Sequence, residues 1–134
     1  MGLGSPTILS VKPMGQHPLP RHVVAHVSDP HLLAERRLYD VVDTHENLSR
    51  ALGRLARLEM PPDVIVFTGD LADRAEPKAY IGLREIVEPV AAELGAEVVW
   101  VMGNHDEREH YARELFGEEV TEDVTQDRVH HIDG

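Results

Sequence analysis

Three short apolar runs, rich in β-branched residues, recur along the chain, and each ends in a turn carrying carboxylate, amide or imidazole groups. The first, His22-Val-Val-Ala-His-Val-Ser28, ends at Asp29-Pro30; the second, 63–68, ends at Gly69; the third, 97–102, ends at Gly103. Runs of this length and composition predict buried strands. Between them the period becomes helical. Leu48, Leu52, Leu55 and Leu58 recur at spacings of four and three, with Arg50, Arg54 and Arg57 on the other face. Asp43 or Thr44 can cap this helix and Met60-Pro61-Pro62 stops it. A second helix is predicted from about Pro77, with Leu83, Val87, Val90 and Leu94 buried, a kink at Pro89 and an end at Gly95. A short acidic helix follows from about Glu107 to Phe116, and a fourth strand is predicted over 128–132. Strands alternating with amphipathic helices make a parallel α/β sheet with right-handed crossovers. Continuous apolar strands predict helices on both faces. Residues 1–21, with four prolines and three glycines, read as a disordered tail, and 22–134 as the folded part.

Composition removes several functions. Asp and Glu total 24 against 13 Lys and Arg, a net charge of −11, so no basic face is available for nucleic acid. The absence of cysteine excludes disulfides, thiolate metal sites and cysteine nucleophiles, and fits a reducing, cytoplasmic setting. No apolar run approaches the ~20 residues of a membrane span, and no apolar signal segment opens the chain. Much of the negative excess lies in 106–127 and reads as a solvated helix and loop.

The chemistry is expected at the strand ends, because parallel strands deliver their following loops to one sheet edge. Those loops are Asp29-Pro-His31, Gly69-Asp70-Leu-Ala-Asp73 and Gly103-Asn104-His105-Asp106. Carboxylate, amide oxygen and imidazole suit Mn, Fe and Zn. Asp29 and His31 can share one ion, Asp70 can bridge two, and Asn104 offers an oxygen to the second. Two ions ~3.5–4 Å apart clamp the oxygens exchanged in phosphoryl transfer. His105 can face a phosphate ester and protonate a leaving alkoxide, with Asp73 orienting it; Asp73 is nearly as well read as a cap or loop residue. Gly69 and Gly103 suit sharp turns that bring backbone close to metals.

These motifs resemble the first three of the calcineurin-like metallophosphoesterases. Arg37-Leu38-Tyr39, the stretch Phe67 to Asp73 and the stretch Val99 to Asp106 resemble the bacterial class III 3′,5′-cyclic nucleotide phosphodiesterases, especially the mycobacterial type. The resemblance implies that residues 22–134 are the N-terminal half of a four-layer αββα sandwich. It implies two divalent ions, Fe or Mn first and Zn, Co or Mg as alternatives, held by Asp29, His31, Asp70 and Asn104. It also implies a bridging hydroxide that converts cyclic AMP to 5′-AMP, with His31, Asp70, Asn104 and His105 contacting the phosphate and Asp73 orienting His105. The family completes its site with three further histidines in motifs that do not occur here, and only His110, His130 and His131 are left as candidates. His110 is expected to be exposed, and His130 and His131 to be ordinary strand residues facing opposite sides.

The leading expectation is therefore a phosphodiesterase, with the 134-residue chain itself inactive or feeble. A module of another class, inactive and binding a nucleotide or a protein partner, is the alternative; a flavodoxin-like signalling domain ranks last. A half sandwich would expose an apolar sheet face and an unpaired edge, which predicts a homodimer or aggregation.

Overall fold

The computed structural model describes residues 18–35, 37–120 and 125–132. Six elements follow in the order β1 (Val24–Ser28), α1 (Thr44–Leu55), β2 (Val64–Thr68), α2 (Pro77–Leu94), β3 (Glu97–Val101) and α3 (Arg108–Phe116). The strands form one parallel sheet in the order β1-β2-β3. The α/β class and the βαβαβα order expected from the periodicities are both present. Of the tail, only 18–21 lie among the described residues, and these are exposed.

Register explains the core. Val27, Phe67 and Trp100 stand side by side across the sheet, as do Ala25, Ile65 and Val98. Side chains alternate along a strand, so these six share one face. That face packs on Leu48 and Leu52 of α1, Tyr80, Leu83 and Val87 of α2, and Tyr111 and Leu115 of α3. Helix α2 packs against α1 and α3. Local signals set the helix ends. Asp43 Oδ1 accepts the Glu46 amide at 3.0 Å and caps α1. Pro77 occupies the first turn of α2, and Gly95 and Gly117 end α2 and α3 at φ 67° and 66°, where a side chain would be strained. Pro89 lies inside α2, on its exposed side.

Three expectations are corrected. The helices lie on one face of the sheet, not both. Both crossovers step the same way, from β1 to β2 to β3, so right-handed connections stack α1 and α2 on one side. Val24 and Val101, on the opposite face, are exposed. Residues 128–132 form no strand. Side chains hold this segment instead: Arg128 pairs with Glu118 at 2.8 Å and lies 3.5 Å over the Phe116 ring, and His130 Nδ1 meets Glu97 Oε1 at 2.8 Å. Helix α1 ends at Leu55, so Leu58 leaves the buried stripe. No helix among the described residues is long and apolar enough to cross a membrane.

Leu52 is 0% exposed and Leu58 is 49% exposed, although both occupy the same sequence stripe. Leu52→Ala is expected to cost about 2–5 kcal/mol, while Leu58→Ala stays within about 0.5 kcal/mol. Urea denaturation midpoints at constant slope measure both.

Candidate metal centre

The three loops meet at the carboxyl edge of the sheet because their backbones continue to pair beyond the strands. Asp29 N–H donates to the Thr68 carbonyl at 3.2 Å, His31 N–H to Asp70 at 3.0 Å and Leu32 N–H to Leu71 at 3.0 Å. Asp73 N–H returns to Leu32 at 2.9 Å, and Gly69 N–H reaches Val101 at 3.0 Å. The chain turns sharply here. Asp29, His31 and Asp70 adopt φ of 52°, 46° and 41°, beside Gly69 at 72°. Gly103 sits so close that a Cβ would overlap the Asp70 amide nitrogen and Oδ1 and lie 2.8 Å from Gly69 Cα.

Ligand atoms of Asp29, His31 and Asp70 lie within 4.8 Å of one another. His31 Nε2 is 3.7 Å from Asp70 Oδ2 and 4.0 Å from Asp29 Oδ1. His31 Nδ1 lies 3.0 Å from Asp73 Oδ1; a carboxylate only accepts, so Nδ1 carries the proton and Nε2 keeps its lone pair toward the two aspartates. Asp70 Oδ1 accepts the His105 amide at 2.9 Å, which leaves Oδ2 facing His31. Two carboxylates and an imidazole nitrogen form a donor set that fits a divalent cation. Asn104 is exposed in the turn after β3.

His105 stands edge-on to His31, with ring centroids 5.1 Å apart. Its Nδ1–H donates to the Asp73 main-chain carbonyl at 2.8 Å, while the Asp73 carboxylate is 3.8 Å away. The main-chain atom of Asp73 therefore meets His105, and its side chain meets His31. That carbonyl bond above all, with the charges of Asp70, Asp73 and Asp106, raises the His105 pKa above its ordinary value, and burial opposes the rise. A raised pKa favours the imidazolium, which can donate from Nε2 to an anion. A second group of close donors, His31, Asp73 and His105, shares these contacts. The substitute histidines take other partners. His110 is half-buried, with Nδ1 at 2.7 Å from the Ala75 carbonyl and 2.9 Å from Glu107, and His130 is held by Glu97. His131 is exposed and lies in neither group.

Asp106 and Tyr80 have roles that motif reading missed. The Asp106 carboxylate accepts the amides of Gly103 at 2.8 Å and of Leu71 and Ala72 at 2.9 Å, and the Tyr80 hydroxyl at 2.8 Å. Burial first, then the charge of Asp106, pushes the Tyr80 hydroxyl far above the usual phenol range and keeps it a donor. The available signal was an acidic residue in a turn with unpaired amides, which motif spacing does not distinguish from a solvated one.

Asp106→Asn turns an amide group toward these donors and is expected to cost about 1.5–3 kcal/mol. Tyr80→Phe removes one donor and is expected to cost less. Thermal or urea unfolding ranks the two.

Comparison with known proteins gives a match to the calcineurin-like phosphoesterase family over residues 22–130. The chain is 51% identical over 120 residues to a cAMP/cGMP dual specificity phosphodiesterase of Mycobacterium tuberculosis, covering 89% of this chain and 37% of that protein. It is 45% identical over 119 residues to a probable cyclic nucleotide phosphodiesterase of Rhodococcus erythropolis, covering 89% and 39%. With a 3′,5′-cyclic adenosine monophosphate phosphodiesterase of Pseudomonas aeruginosa it shares 35% over 104 residues, 76% of this chain and 36% of that protein. The chain thus spans 36–39% of the length of these relatives. A family match over most of the sequence agrees with the three motifs gathered at one sheet edge, and the chain belongs to the calcineurin-like phosphoesterase family.

Proposed function

We propose that the chain carries the first metal-binding part of a cytoplasmic phosphodiesterase acting on 3′,5′-cyclic nucleotides, with two divalent ions and cyclic AMP hydrolysed to 5′-AMP. The observation that carries this reading is the gathering of Asp29, His31 and Asp70 ligand atoms within 4.8 Å at the carboxyl edge of the sheet. Names borne by the relatives support the substrate class. Asp29 and His31 would hold one ion, Asp70 would lie between two, and Asn104 would face the second. Bound there, such ions supply Lewis acidity and lower the pKa of water toward neutrality. Manganese and iron suit the donor set best.

The chain's own residues have distinct tasks. His105 presents Nε2 to the phosphate while Asp73 fixes its Nδ1 through the main chain. An imidazolium there would stabilise the phosphoryl oxygens and give a proton to the departing 3′-oxygen. The left-handed turns bring Asp29, His31 and Asp70 to one point without lengthening the loops.

The second reading, an inactive module, is favoured by the partners of His110 and His130, which are engaged away from the aspartates. With so few protein ligands an ion is held weakly.

Calorimetric titration with Mn²⁺ tests the first reading. The 134-residue chain is expected to bind Mn²⁺ weakly, and Asp29→Ala or Asp70→Ala should abolish the heat. With bis(p-nitrophenyl) phosphate and Mn²⁺, turnover by this chain is expected to be feeble. Absence of Mn²⁺ binding refutes the metal site, and robust turnover refutes the weak-site argument.

A further inference from the structure

We infer that Asp73 is a positioning residue for the metal ligand His31, and that it sets His31 and His105 together by using two different groups. The inference rests on reading His31 as a metal ligand, and it goes beyond a role for Asp73 toward His105 alone.

The geometry divides the residue. Its carboxylate Oδ1 lies 3.0 Å from His31 Nδ1 and 3.8 Å from His105 Nδ1. Its main-chain carbonyl accepts His105 Nδ1–H at 2.8 Å. Both histidines therefore carry the proton on Nδ1, and each leaves Nε2 free. For His31, Nε2 then points at Asp29 and Asp70, as a metal-binding nitrogen must.

Asp73 is itself fixed. Its amide donates to the Leu32 carbonyl at 2.9 Å, one residue beyond His31, so carboxylate and imidazole approach from adjacent, paired backbones. Its side chain is largely buried, and Arg74 Nε lies 4.0 Å from Oδ2. The main-chain bond to His105 survives any substitution of the side chain, so the two functions can be separated by mutation.

A carboxylate behind a metal-bound histidine fixes its tautomer and typically accounts for 10–100-fold in metal affinity. The test uses Mn²⁺ titration of the 134-residue chain together with ring-nitrogen NMR of His31. Wild type is expected to show the Nδ1–H tautomer at His31. Asp73→Ala is expected to weaken Mn²⁺ binding about 10–100-fold and to mix the His31 tautomers, while His105 keeps its Nδ1–H on the Asp73 carbonyl. Asp73→Asn keeps an acceptor oxygen and should restore the tautomer and most of the affinity. His105→Ala should leave Mn²⁺ affinity unchanged.

An Asp73→Ala chain with wild-type affinity and tautomer overturns the inference. A wild-type chain with His31 in the Nε2–H form overturns it without any variant, which covers the case in which Asp73→Ala does not fold. Loss of affinity in His105→Ala also overturns it, because Asp73 and the two histidines would then be the ligand set. If wild type binds no Mn²⁺, the metal reading falls, and the response of the His31 tautomer to Asp73→Ala alone decides whether Asp73 positions His31.

Discussion

One carboxylate holds the active edge together. Asp106 accepts three backbone amides and the Tyr80 hydroxyl, drawn from the turn after β2, the turn after β3 and helix α2. Amides released at the ends of parallel strands have no ladder partner, and leaving them unpaired and buried is costly. A single anion satisfies them and at the same time fixes the distance between two loops. The placement of Asp70 follows, because its Oδ1 takes the amide of His105, immediately before Asp106 in the chain. With Oδ1 committed, Oδ2 is the oxygen left toward His31.

The same constraint explains why the site is built on the sheet rather than on free loops. Phe67 and Ile65 of the central strand are fully buried, so β2 is the best-anchored element beneath the site. Its loop is zipped to the first loop through His31, Leu32 and Asp73 and to β3 through Gly69. Gly103 is required where these backbones touch, since any side chain there would meet Asp70 and Gly69. The placement of the Asp29, His31 and Asp70 side chains thus rests on the packing of Phe67 and Trp100 on the helices below, only a few residues away along each strand.

Much of this was legible in the residues. Strand ends rich in Asp, Asn and His mark one edge once the strands are known to be parallel, and Asp29, His31 and Asp70 are indeed neighbours there. The end of α2 at Gly95 followed from local chemistry alone, and of the two cap candidates for α1 the structure uses Asp43. What spacing does not encode is rotation about side-chain bonds and the path of the chain between elements. For this reason the Asp73 side chain turned to His31 while its carbonyl met His105. The placement of all helices on one face depended on strand order, which no single run reveals. Residues 128–132 have strand-like composition, but ion pairs and a ring contact hold them in place of a ladder.

The left-handed backbone at Asp29, His31 and Asp70 carries a consequence for how such a chain can change. Each residue pays roughly 1–2 kcal/mol for a conformation that glycine would adopt without strain. Glycine at any of the three would relieve that cost, and each replacement would delete a carboxylate or an imidazole from the sheet edge. In this sequence the three positions carry Asp, His and Asp at the expense of backbone ease.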